Sequence, residues 1–573
     1  MVDIINISTS LIFNISIIII AATILAYFLR LIKQPLIPAY IIAGVILGPV
    51  FGSLGLDLIK DLSAVNAMSE IGIAFLLFIV GLELALNKIK SVSVISILGG
   101  FLQVLLTTVI GFLAMKALGF TFISALYAGF IIAFSSTMLV VKILKDKEQV
   151  DTLHGKIMIG ILIVQDILVI FVLSMISIVS FFDVSLMLMA LLKGLLFILV
   201  ALLTSKFFLP RLFRFAARSQ ELLFLCSLSI CFLFALLAYY LGFSIAIGAF
   251  ISGVMLANLP YSVNIIGMVG GLKNFFVTIF FVSLGMQLVM IPYSMIIVLV
   301  IILLLTLLVK PLIIMMLTSL FGYEKRTSFL TSFGLGQISE FSLIMVSFGF
   351  YTLNQLSQSF FSLIIFATII SMVITSYASK YDSWIYMKIS RFLAIFEKLS
   401  LSRRNIGMEK RKKADIILFG CHRMGSVFLN SFEKENKKNI FVVDQNPEII
   451  KSLMQKNIDC VYGDCTNIEV LKKINLKNAK LVISAIPSLD INEFLLKYAK
   501  NANKKIAFIA TQNHLHEALD LYEKGADYVI LPHISTSESA ISLLNKMLNN
   551  RNNINKIRNK HIKHLLNLDM YGY

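Results

Sequence analysis

Charge and histidine are scarce in this chain. Of 573 residues only 14% are Asp, Glu, Lys or Arg, and there are seven His, five Cys, ten Pro and one Trp. The cysteines, Cys226, Cys231, Cys421, Cys460 and Cys465, fall either in an apolar run or in the basic C-terminal part, so no disulfide framework is implied. No Cys/His spacing resembles a zinc site, and no metal other than a transported monovalent cation is expected. None of the seven histidines falls within an apolar run long enough to cross a bilayer. A histidine proton relay is therefore excluded, and carboxylates are left for that work. The first apolar run lacks a basic leader and a small-residue cleavage site, so it reads as a retained helix. A Thr-Val-Gly-Tyr-Gly potassium filter is absent, which weighs against a channel.

What the chain has is hydrophobicity: 58% apolar residues and a mean hydropathy of +0.89, the composition of a polytopic membrane protein. The mean hides a division. Residues 1–385 are a series of apolar runs, 386–413 form a basic linker containing "SRRNIGMEKRKKAD", 414–545 read as a soluble α/β domain, and 546–573 are a basic tail. Apolar runs of bilayer length give about thirteen spans, starting near residues 8, 36, 63, 92, 120, 155, 184, 219, 243, 267, 293, 327 and 357. Basic residues gather in every second connection: Arg30 and Lys33, Lys88 and Lys90, Lys142 to Lys156, Lys206 to Arg218, Lys325 and Arg326, then the linker. That pattern predicts an outside N-terminus and a cytoplasmic C-terminal domain in the cytoplasmic (inner) membrane. The net charge of +18 is largely topology signal and calls for no nucleic acid.

Within this apolar background three polar interruptions stand out. The run "KIMIGILIVQDILVIFVLSMISIV" (156–179) has Asp166 near its middle, preceded by Gln165. A charged side chain at the bilayer midplane costs roughly 2.5–3.5 kcal/mol, so such carboxylates mark ion or proton pathways or hydrogen-bond to a neighbouring helix. "IIAFSSTMLVVKIL" (131–144) clusters Ser135, Ser136 and Thr137, and "FGLGQISEFSLIM" (333–345) sets two glycines before Gln337, Ser339 and Glu340. Two interrupted spans, one in each half of the domain, predict a repeat-built transporter with its site between them. Lys310, deep in "LLVKPLIIMM", either pairs with an acidic residue such as Glu340 or snorkels from a tilted helix.

In the soluble part "ADIILFGCHRMGSVFLNSF" (414–432) predicts strand, glycine turn and helix, and "NIFVVDQNPEII" a second strand ending at Asp444. This is the order of a dinucleotide-type fold, with phosphate at the turn and an acid for ribose.

At these motifs the sequence resembles a known family. "LLFIVGLEL" (76–84), "FSST" before "VQD", "FFVSLGMQL" (280–288) and "GQISEFS" (336–342), followed by a nucleotide-binding lobe, resemble the second group of monovalent cation:proton antiporters, and within it the Kef-type potassium efflux proteins. The resemblance implies about thirteen helices with inverted repeats, a dimerisation scaffold, and a core built on two crossed discontinuous helices, acting as a homodimer in lipid. It makes Asp166 the ion- and proton-binding carboxylate, Gln165 its partner, and Ser136, Thr137, Gln337, Ser339 and Glu340 the surrounding groups. One carboxylate that holds either a proton or a cation, opened alternately to each side, suffices for exchange without enzymatic chemistry. Potassium is the expected ion; a sodium/proton antiporter and a ligand-gated potassium efflux pathway are the alternatives.

The soluble lobe resembles the Rossmann-like TrkA-N (RCK-type) regulatory domain, whose loop reads Gly-x-Gly-Arg-x-Gly. Gly420, Arg423, Gly425 and Asp444 match, with Met424 and Gln445 beside them and Gly463–Asp464 as the later turn. His422 stands where the middle glycine is expected, so an adenine mononucleotide such as AMP is favoured over NAD(H). Glutathione-gated relatives carry arginines on the fourth strand of this lobe; the equivalent stretch here, "KKIAFIATQNHLHEAL" (504–519), has none.

Overall fold

In the computed structural model the chain divides into two units, Met1–Ser402 and Arg403–Tyr573. The structure describes residues 11–32, 34–55, 59, 62–83, 95–147, 149–150, 152–179, 184–257, 259–323, 325–382, 384–386, 388–389, 393, 414–421, 423–434, 439–444, 446–463, 465–466, 470–471, 474, 476–537 and 541.

The first unit is all helix: α1 Leu11–Leu31, α2 Leu36–Val45, α3 Leu62–Glu83, α4 Gly100–Ala117, α5 Phe122–Ala133, α6 Thr137–Asp146, α7 Leu153–Val179, α8 Val184–Leu203 and α9 Leu209–Ala216. It continues with α10 Gln220–Tyr240, α11 Ile245–Ala257, α12 Ser262–Met286, α13 Tyr293–Leu304, α14 Lys310–Leu320, α15 Lys325–Gly334, α16 Glu340–Ser347 and α17 Gln358–Lys380. Among the described residues ten helices are long and apolar enough to cross a membrane, where thirteen spans were expected of the whole chain. Three expected spans fall outside that set. The one near residue 63 is α3, of 22 residues, the one near 243 is a helix of only 13 residues, and the one near 327 is broken between α15 and α16.

Helices approach closely where side chains vanish. A Cβ on Gly81 of α3 would sit 2.4 Å from the Phe250 carbonyl oxygen of α11, and one on Gly253 of α11 would sit 2.1 Å from that of Phe78. Small residues replace the hydrophobic drive that lipid cannot supply between helices. The largest core cluster surrounds the two chain breaks, with Ile131, Phe134, Val169, Ile338, Phe341 and Ile364 buried in it.

The second unit contains β1 Ile416–Phe419, α18 Arg423–Lys434, β2 Ile440–Asp444, α19 Pro447–Gln455, β3 Cys460–Tyr462, β4 Leu481–Ser484, α20 Leu489–Ala502, β5 Ala507–Thr511, α21 Leu515–Glu523 and β6 Tyr528–Ile530. All pairings are parallel, in the order β3-β2-β1-β4-β5-β6. Near-continuous apolar strands such as "IILF" suit a parallel sheet covered on both faces. The stretch compared with the fourth strand of the glutathione-gated relatives lies on β5 here.

Candidate functional site

Both predicted interruptions are present. α5 ends at Phe134 in extended conformation, and Ser136 caps α6 by accepting from Leu139 N–H at 3.3 Å. α15 ends at Gly334, and Ser339 caps α16 by accepting from Phe341 N–H at 3.1 Å. Serine is a preferred cap because its short oxygen reaches an amide that has no helical partner.

The breaks are fastened to each other. Ser135 Oγ donates to the Leu335 carbonyl at 2.8 Å, and Ser342 Oγ donates to that of Ile131 at 3.0 Å. Lys310, read as either pairing with an acid such as Glu340 or snorkelling, has its fully buried Nζ donating to the carbonyls of Phe134 at 2.9 Å and Gln337 at 2.8 Å. Carbonyls at an interrupted helix have lost their helical amides and carry partial negative charge. An amine donor between two of them answers both needs.

Asp166, on α7, is 7% exposed. Thr137 Oγ1, at the first position of α6, lies 3.1 Å from its Oδ1 and 3.0 Å from its Oδ2. Glu340, 2% exposed, interacts with the Ser136 side chain and the Met138 backbone, and electrostatically with Asp166. Adjacent hydroxyls at one break thus address two carboxylates from different helices. Gln165 faces the backbone instead: its Oε1 accepts from Ser135 N–H at 2.9 Å, and its Nε2 donates to Gln103 Oε1 at 2.6 Å. Gln103 in turn donates to Thr107 Oγ1 and to the Ala133 carbonyl. Gln337 and Ser339 are fully buried. Both amide atoms of Gln337 and Glu340 Oε2 have no hydrogen-bond partner among the described residues. Buried polar atoms of that kind are costly and demand an explanation.

Gln103 belongs to the site without any motif to mark it. It is a lone amide in an apolar helix, and its only signal was being polar there. Glu83, exposed at the end of α3, interacts electrostatically with Asp166.

In the second unit the turn after β1 is built as its glycines require. Gly420 has a φ of +80°, the left-handed region that glycine adopts without strain. A Cβ on Gly425 would sit 1.9 Å from the Gly420 carbonyl oxygen, so α18 starts against the turn only because that atom is missing. Asp444 holds the turn: its Oδ2 accepts from Cys421 N–H at 2.6 Å and its Oδ1 from Asn446 N–H at 2.7 Å. Gly463 N–H donates to the Asp444 carbonyl at 3.0 Å. Met424 lies half-buried in the first turn of α18. His422, Gln445, Asp464 and the side chain of Arg423 lie outside the described residues. Burial and the neighbouring Asp459 push the Cys460 thiol on β3 up to about 11.

Comparison with known proteins matches residues 17–380 to the transmembrane sodium/hydrogen exchanger family and residues 416–532 to the TrkA-N domain. K(+) efflux antiporter 5 of Arabidopsis thaliana is 28% identical over 382 residues, 65% of this chain and 66% of that protein. YbaL of Escherichia coli (strain K12), which carries the name of a cation/proton antiporter, is 26% identical over 552 residues, 92% of this chain and 96% of its own length. The chain thus spans less than two thirds of the plant efflux antiporters it matches, 66% of one and 59% of another. The crystal structure of the TrkA-N domain of the inner membrane protein ybaL from Escherichia coli superposes at 22% identity and a TM-score of 0.22, covering 23% of this chain and 98% of that one.

Proposed function

The chain belongs to the transmembrane sodium/hydrogen exchanger family, and from that premise we propose that it is a secondary active antiporter exchanging potassium for protons at Asp166. The observation that carries the reading is the meeting of three elements at one buried point: Asp166 from α7, Thr137 from the first break, and from the second Glu340, three residues after the buried, unpartnered amide of Gln337. A carboxylate beside hydroxyl and amide oxygens is a coordination set for a dehydrated monovalent cation. Asp166 binds either the cation or a proton, and alternating exposure of the crossing turns that competition into exchange. With one charge leaving for each charge entering, the cycle is electroneutral. Gln165 acts from behind, fixing the backbone of the first break through Ser135 N–H and leaving Asp166 to the ion.

The distribution of Lys and Arg supports an outside N-terminus and a cytoplasmic second unit in a multi-pass arrangement, and the family resemblance supports a homodimer. In the second unit the turn Gly420–Gly425 and Asp444 form an adenine nucleotide site that regulates transport. Its support is the close seating of α18 on the turn, which points free helix-start amides at a phosphate. Asp444 spends its carboxylate on two turn amides in this structure, so a ribose engages it by replacing one of them.

The test is cation-dependent proton movement in proteoliposomes with potassium, sodium and rubidium, with and without an imposed membrane potential. Potassium and rubidium exchange that ignores the potential is the expected result. Preference for sodium, or a flux that follows the potential without moving protons, overturns it.

A further inference from the structure

The residues that follow the last long helix grip both half-helices of the crossing. Lys147, the residue closing α6, places Nζ 2.6 Å from Asp382 Oδ2 and also donates to the Ser379 carbonyl at the end of α17. The two side chains are 24% and 14% exposed, so the pair is partly withdrawn from water. A few residues later the Tyr386 ring lies 5.6 Å from that of Phe329 on α15, with the Arg326 guanidinium 5.8 Å from its centroid. Leu393 is buried in the same cluster with Phe329, Leu330 and Met315, and Ile385 and Ile389 pack against it. Phe329 stacks in turn on Phe333, which directly precedes the Gly334 end of α15.

These contacts sit at the ends of short rigid rods. α6 runs from Thr137, bonded to Asp166, to the clip at Lys147, a distance of about 15 Å at helical rise. α15 carries the aromatic contact roughly one turn before the second break.

We propose that Asp382 and Tyr386, just beyond α17, couple the two half-helices: the Lys147–Asp382 pair and the Tyr386 contact position α6 and α15 together at the ion site. Lys147, Asp382 and Tyr386 are positioning residues: they touch no ion and act through helices that do. Both contacts come from the same few residues after α17, so the loss of either loosens both half-helices. The proposal rests on the reading of the crossing as the ion site.

The test uses the full chain in proteoliposomes with potassium as the probe. Asp382→Asn and Lys147→Gln should each raise the KM for potassium by about threefold to tenfold while kcat stays within about twofold, the pattern of misplaced binding groups. The exchanged pair, Lys147→Asp with Asp382→Lys, should restore KM. Unchanged KM in both single variants, or no restoration by the exchange, overturns the proposal. Amide hydrogen exchange on the same proteins separates this failure from failure of the transport reading. In Asp382→Asn the account expects faster exchange in 325–334 as well as 143–147, with 416–532 unaltered. Acceleration confined to 143–147 and 379–382 overturns the coupling even if no potassium is moved.

Discussion

Thr137 Oγ1 is within hydrogen-bonding distance of both carboxylate oxygens of Asp166, at 3.1 and 3.0 Å. A hydroxyl so placed steadies the charged form and donates its own lone pairs to whatever that carboxylate binds. Hydrogen bonds to charged groups contribute about 1.5–3 kcal/mol, so Thr137→Val should weaken cation affinity on the order of tenfold or more, and Thr137→Ser should retain most of it. Potassium titration of exchange rates checks this; equal KM in Thr137→Val and the parent means the hydroxyl is no part of the site.

Lys310 bridges the two breaks through the carbonyls of Phe134 and Gln337. Lys310→Met leaves two buried carbonyls without a donor, each costing about 1–3 kcal/mol. Detergent-solubilised protein should therefore lose several degrees of Tm. Adding Glu340→Gln should give no rescue, because the lysine answers backbone and not that carboxylate. Recovery of Tm in the double variant would reveal an ion pair instead.

Gly425→Ala brings a methyl to within 1.9 Å of the Gly420 oxygen, a clash that only movement of α18 relieves. Calorimetry on the full chain should find AMP binding lost in Gly425→Ala and weakened in Asp444→Ala, with AMP bound more tightly than NAD or NADH in the parent. Unaltered AMP affinity in both variants removes the turn from the nucleotide site.

The Cys460 thiol, pushed up to about 11 by burial and Asp459, is almost wholly protonated at pH 8 and a poor nucleophile. Alkylation by a maleimide at that pH should leave it unmodified in folded protein and label it after denaturation, as mass spectrometry of the peptide reads. Rapid labelling of the native chain contradicts the buried placement.

The two breaks were legible because polar side chains and glycines interrupt runs that are otherwise apolar, and Asp166 because a midplane carboxylate has no cheap alternative. Legibility ended where the partner is backbone or distant in sequence. Lys310 is held by carbonyls, which every residue has and no motif marks. Gln165 meets Gln103 across 62 positions, and nothing in either helix encodes that encounter. In the second unit glycine spacing located the turn, whereas the bonds from Asp444 to Cys421 and Asn446 follow from how the chain folds back, which spacing does not state.

The central claim is that one buried carboxylate carries both the cation and the proton. Asp166→Asn keeps the shape and removes the charge, so the variant should insert and fold with normal yield. In proteoliposomes loaded with a pH-sensitive dye, it should show no potassium-dependent proton movement, while the parent exchanges the two without regard to membrane potential. Exchange at the parent's rate in Asp166→Asn contradicts the account and makes the aspartate a packing residue.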